Sequence, residues 1–241
     1  MTRALVVIPA LNEELSIASV IDGLRKMNLD VLVVDDGSTD NTRAVSIENG
    51  ATVISLPFNL GVGGALRTGF KYAVLHGYDS VVQVDADGQH LPREISKLIS
   101  AAEQLHADLV IGSRFLNTDI SHQQMSVSRT RQLGMKLLAI VASRATGTRL
   151  TDTTSGFRVI KGQLLIEFSR QFPTNYLGDT FEAVVAAGRA GYVVREVAVE
   201  MKDRQFGVSS ATLSQAVTFF CKAFLVAALH LQPRIPYRTN L

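Results

Sequence analysis

Five short apolar runs of strand length, at residues 4–8, 31–34, 52–56, 80–84 and 109–111, recur along the first 113 residues. The stretches between them carry helical spacing. In residues 15–27 the apolar Ile17, Val20, Ile21 and Leu24 fall on one face, and residues 92–105 open with Pro92, tolerated in the first turn of a helix. Strand and helix thus alternate, which predicts an α/β fold with a mostly parallel central sheet flanked by helices on both faces. From Phe115 the alternation breaks, and the next strand-like run is at residues 157–160.

Sheets of this class bind ligands beyond the carboxyl ends of their strands. Those ends read "PALNEE" at 9–14, "DDGSTDNT" at 35–42, "NLGVGGALRTG" at 59–69, "DADGQH" at 85–90 and "GSRF" at 112–115. Polar, acidic and glycine-rich chemistry gathers where a site belongs. The glycine-rich stretch lacks the Lys-Ser/Thr of a P-loop and the dinucleotide-binding spacing, which favours close packing over phosphate cradling and leaves Arg67 as a secondary phosphate candidate.

Composition narrows the classes. A chain of 241 residues with 46% hydrophobic content builds a substantial core, and a net charge of +2 gives no global field for nucleic acid. The single Cys221 forms no internal disulfide and has no zinc-ligand spacing, which points to a reducing, cytoplasmic setting. A local basic stretch, Arg129, Arg131, Lys136, Arg144 and Arg149, reads equally as an anion or membrane-surface contact and as a solvated helix face.

Asp85 and Asp87 follow the apolar run Val81, Val82, Val84. Unpaired carboxylates at the end of a buried strand are costly, so they call for a cation or for solvent. In an extended chain the two lie about 6.5 Å apart on one side and converge on one ion, and oxygen ligands suit Mg²⁺ or Mn²⁺ better than zinc.

Taken together and in this order, the motifs resemble those of family 2 glycosyltransferases with the GT-A (Rossmann-like) fold, most nearly the dolichyl- and polyprenyl-phosphate sugar transferases. The resemblance runs from about residue 4 to 210. It implies a GT-A domain over 1–210, with a nucleotide-sugar half at 1–113 and an acceptor half at 114–210. By position, it sets Pro9, Leu11 and Glu13 on one side of the donor nucleotide and Val34 and Asp36 on the other. Asp85, Asp87 and Gln89 become the metal contacts, with Ala86 between them against the donor. Arg114 in "GSRF" and Arg204 in "EVAVEMKDRQFGVSS" become phosphate contacts, a task suited to the planar guanidinium fork. "TDTTSGFRVIKG" at 151–162 resembles a further family segment, while Ala198 and Ser210 stand where the family usually has proline and lysine.

The implied reaction moves a sugar from a GDP- or UDP-linked donor to polyprenyl phosphate with inversion. A phosphate acceptor attacks without a strong base, whereas a hydroxyl acceptor needs a positioned carboxylate. Asp179 and Glu182, at helical spacing, are the candidates, Glu182 fitting the family better. Two alternatives stay open: a hydroxyl acceptor, or a noncatalytic sugar-nucleotide-binding module. Residues 211–231 read as an amphipathic helix, with Lys222 near the middle arguing against a span, followed by a tail to 241. Lipid contact, a membrane partner protein, homo-oligomer packing and packing on the domain are its alternative uses. The expected location is cytoplasmic, peripheral at the cytoplasmic face of the membrane.

Overall fold

The computed structural model describes residues 3–116, 129–173, 179–202 and 235–238. Among these described residues seven strands form one sheet: β1 (Ala4–Ala10), β2 (Asp30–Asp35), β3 (Thr52–Ser55), β4 (Ser80–Gln83), β5 (Leu109–Ser113), β6 (Arg158–Lys161) and β7 (Val194–Ala198). Their order is β3-β2-β1-β4-β6-β5-β7. All pairs are parallel except those of β6, which runs antiparallel to both β4 and β5. The carboxyl ends of the six parallel strands and the start of β6 therefore share one edge.

Among the described residues seven helices cover the sheet: α1 (Ile17–Arg25), α2 (Thr42–Glu48), α3 (Val62–Leu75), α4 (Ile95–Gln104), α5 (Arg129–Thr146), α6 (Gly162–Arg170) and α7 (Asp179–Arg189). Pro92 begins a single 3₁₀ turn, Pro92–Glu94, that leads into α4. Alternation along β1 divides the core. Leu5 and Val7 join Leu66, Phe70, Phe168 and Phe181 on one face, while Val6 and Ile8 join Ile17, Ile21, Leu98 and Phe157 on the other. On the first face Phe70, Phe168 and Phe172 pack ring on ring, with centroids 5.1 to 6.3 Å apart.

A glycine in the middle of α3 sets how closely that helix lies on the sheet. A Cβ at Gly69 would come within 2.4 Å of Val7 Cγ1, so only glycine lets α3 lie flat against β1. Residues 235–238 return to the domain: Ile235 is buried in the first core, and the Arg238 N–H donates to the Ala190 carbonyl at 2.8 Å. Among the described residues no helix is long and apolar enough to cross a membrane. The expected helix at 211–231 lies outside them, as does Cys221.

Candidate active site

The first two loops of the edge are stitched together. Asn12, in the left-handed region at φ 55°, donates its N–H to Ser38 Oγ at 3.0 Å and accepts from the Thr39 N–H at 2.8 Å. The Glu13 N–H donates to Thr42 Oγ1 at 2.7 Å, and Glu14 accepts from the Asn41 N–H at 3.0 Å. Thus "PALNEE" and "DDGSTDNT" form one rigid wall. Glu13 accepts from the Ser16 hydroxyl at 2.6 Å, which ties it to the start of α1. Pro9 pairs in register with Val34, whose side chain is wholly buried under the edge, and Leu11 is exposed above it. Asp36 is buried and accepts from the Leu60 N–H at 2.8 Å. Burial lifts its carboxyl above the ordinary range, with neighbouring Asp35 adding to the effect and the Leu60 and Gly61 N–H groups offsetting it.

In the middle of the edge, β4 stops at Gln83, so Asp85 to Gly88 turn out of the strand instead of extending it. The turn is closed by Asp87 Oδ1, which accepts from the Gln89 N–H at 3.1 Å. Asp87 is buried, as is Ala86 beside it, while the Asp85 side chain is 40% exposed and faces the open edge. The Gln89 carbonyl accepts from the Lys202 N–H at 2.9 Å, fastening this turn to the chain beyond β7.

His90 holds Asp85 from behind. It is buried, stacks on Phe157 with ring centroids 4.6 Å apart, and accepts the Asp85 N–H on Nδ1 at 3.0 Å. That bond requires an unprotonated Nδ1, so Nε2 carries the hydrogen and faces Asp85 Oδ2 at 3.6 Å. Burial pulls the His90 pKa below its usual value despite the nearby carboxylates. On the other side lies Gly156, where a Cβ would come within 2.6 Å of both Asp85 oxygens. The Asp85 carboxylate rests flush on this backbone.

Arg114 completes the site from the end of β5. Its Nε–H and Nη2–H donate to the Asp152 carboxylate at 2.8 and 3.1 Å, a forked pair in which the Asp152 side chain is wholly buried and Arg114 is one-third exposed. Burial alone would loosen the guanidinium's hold on its proton. The hydrogen bonds and charge of Asp152, with Asp85 and Asp87 adding from across the site, outweigh it, so the group is fixed as a cation. The sequence reading gave Asp152 no role, although it opens the "DTTSGFR" stretch that resembles a family segment.

Asp179 opens α7, and Glu182, one turn on, is buried. Arg158, at the start of β6, is also buried and donates to the carbonyls of Ser155, Thr180 and Thr153 at 2.6 to 3.0 Å, joining α7 to the loop that carries Asp152 and Gly156. Arg204 lies outside the described residues. The structure therefore brings Asp85, Asp87, Arg114 and Gln89 to one edge with Pro9, Leu11, Glu13 and Asp36 along the adjoining wall.

The family model "Glycosyl transferase family 2" matches residues 5–168. The chain belongs to this family. As a family 2 glycosyltransferase it is 31% identical, over 224 residues, to a UDP-N-acetylglucosamine–dolichyl-phosphate N-acetylglucosaminyltransferase of Methanococcus voltae, covering 86% of this chain and 88% of that one. It is also 31% identical, over 223 residues, to an undecaprenyl-phosphate mannosyltransferase of Micrococcus luteus, covering 86% of each. Among solved structures, glucosyl-3-phosphoglycerate synthase from Mycobacterium tuberculosis, in complex with Mn²⁺, UDP and phosphoglyceric acid, superposes with a TM-score of 0.71 at 21% identity. That match covers 98% of this glycosyltransferase and 80% of the neighbour, and it shows a shared GT-A-like fold.

Proposed function

We propose that this glycosyltransferase moves a sugar, with inversion, from a nucleoside diphosphate donor to the phosphate of a polyprenyl lipid. One observation carries the reading: an acidic pair, Asp85 and Asp87, and an anchored guanidinium, Arg114, face one another across a single strand edge. A diphosphate bound with a cation presents the complementary charges. The lipid acceptor is supported by the two relatives named for dolichyl- and undecaprenyl-phosphate.

The residues fit a hard divalent ion. Asp85 is open to the edge and Asp87 supplies a second carboxylate, with the Gln89 side chain next in line; Mg²⁺ or Mn²⁺ takes such oxygen ligands and fills its shell with water and phosphate. Among the described residues no group of three or more His, Cys, Asp or Glu side chains is placed to hold a metal ion. When bound, the ion neutralises charge on the departing diphosphate.

The chain's own residues supply the rest. The wall from Pro9 to Glu13 and Asp36 holds the nucleotide, with Arg204 as a further phosphate contact. Arg114 holds a phosphate by charge and by its fixed plane, so that an acceptor oxygen stands in line with the anomeric carbon. The C–O bond to the diphosphate breaks as the bond to the acceptor oxygen forms on the opposite face. No proton need be removed from an acceptor already ionised near neutral pH.

Purified protein with Mn²⁺, a panel of GDP- and UDP-sugars, and a short polyprenyl phosphate tests the assignment. Nucleotide release from one donor that depends on the lipid is expected. Release that is indifferent to lipid and rises with a hydroxyl acceptor would overturn it.

A further inference from the structure

Glu196 lies on the edge strand β7, paired in register with Ile111 of β5, and neither donor nor acceptor chemistry needs it. Its carboxylate nevertheless gathers a dense set of donors. The Asp152 N–H donates to Oε1 at 2.6 Å, the Thr151 N–H reaches both oxygens at 2.9 and 2.8 Å, and the Thr151 hydroxyl donates to Oε2 at 3.0 Å. A solvated glutamate on a sheet edge does not order three donors from one turn by chance.

These bonds fix a direction. An ionised carboxylate only accepts, so Thr151 Oγ1 spends its hydrogen on Glu196 and must accept from the Ser113 hydroxyl, 2.8 Å away. Ser113 Oγ in turn accepts from the Phe115 N–H at 3.1 Å. The first relay thus runs from Phe115 through Ser113 and Thr151 to Glu196, and Ser113 and Phe115 are the two chain neighbours of Arg114. The second relay runs from Glu196 through the Asp152 main chain to the Asp152 carboxylate, which grips the Arg114 fork.

We propose that Glu196 is a positioning residue for Arg114, its carboxylate holding the arginine's backbone through one relay and its guanidinium through the other. The proposal deepens the assignment of Arg114 as a phosphate contact and rests on it for its effect on turnover. Burial raises the Glu196 carboxyl above its ordinary range, with the Thr151 and Asp152 donors offsetting part of the cost.

The substitution Glu196→Gln keeps the shape but turns one acceptor into a donor, which reverses the hydroxyl relay. Thr151→Val cuts that relay alone and leaves Glu196 charged. The direct readout is water exchange of the Arg114 Nε–H by ¹⁵N NMR, which depends on the Asp152 grip and not on catalysis. Exchange is expected to quicken about tenfold in Glu196→Gln and less in Thr151→Val, with kcat/KM for the lipid phosphate falling about tenfold in the former. In an Arg114→Lys background, Glu196→Gln should cost less than about twofold more, because both act on one contact.

Unchanged Arg114 exchange in a folded Glu196→Gln protein overturns the proposal, as do losses that multiply in the double variant. Should Glu196→Gln not fold, unchanged exchange in Glu196→Asp, whose shorter side chain withdraws the carboxylate from the Asp152 N–H, has the same force. If the wild-type enzyme transfers to no lipid phosphate, the acceptor assignment fails, while the exchange measurement still decides whether Glu196 positions Arg114.

Discussion

At the scale of single residues, the site is a set of carboxylates held in unequal surroundings. Asp85 is open and backed by His90 and Gly156, whereas Asp87 is buried and spends an oxygen on its own turn. Asp85→Asn and Asp87→Asn should each lower metal-dependent turnover by about two orders of magnitude or more while shifting the melting temperature by only a few degrees. Gly156→Ala is a subtler test. Its methyl group would displace the Asp85 carboxylate, so the metal concentration for half-maximal activity should rise about tenfold. An unaltered metal requirement in that variant would mean the carboxylate is not held where the structure has it. Asp36 adds a prediction in pH. Because its carboxyl is raised in the fold, the folded state binds the proton more tightly than the unfolded chain, and its contribution to stability falls as pH rises from the unfolded value near 3.8 through the folded one. Asp36→Asn, which still accepts from Leu60, should therefore equal or exceed the wild type in urea stability at neutral pH, lose that advantage in acid, and bind donor more weakly. Lower stability of the variant at neutral pH would refute this.

At the scale of elements, the legible parts were those whose signal is local. Runs such as Val31 to Val34 are β-branched, unbroken and buried, and they appear as β2 with ends one residue away from the expected ones. The extended reading of Asp85 to Asp87 ran four residues past the strand, since β4 ends at Gln83 and a turn closed by Asp87 follows. Strand β7 carried little signal because an edge strand can place Arg195 and Glu196 among its apolar residues. The antiparallel direction of β6 was hidden for a different reason: direction is set by which strand lies beside it, a long-range fact. The same holds for Asp152 and Glu196, whose partners stand 38 and 44 residues away. Arg158 shows what such long-range bonds are worth. Its guanidinium ties the 153–155 loop to α7 through three carbonyls, so Arg158→Leu should lower unfolding free energy by about 3 kcal/mol or more, measured in urea. A loss under about 1 kcal/mol would show that those carbonyls find other donors.

At the scale of the whole molecule, the sheet order gathers the carboxyl ends of the parallel strands and the entry to β6 along one rim, and the helices seal both faces below it. The wall proposed for the nucleotide, the acidic pair and the anchored arginine follow one another across that rim in the order β1 and β2, β4, β5. The family 2 match covers the strands that supply all three. The proposed reaction is transfer from a nucleoside diphosphate sugar to a lipid phosphate by direct displacement. The decisive measurement is therefore the structure of the lipid-linked product made with Mn²⁺ and the preferred donor: its mass and the anomeric configuration by ¹H NMR. One sugar joined to the polyprenyl phosphate, with its configuration inverted from the donor's, is the expected product. A product with retained configuration, or sugar transferred to a hydroxyl with none on the lipid, would contradict the proposed reaction.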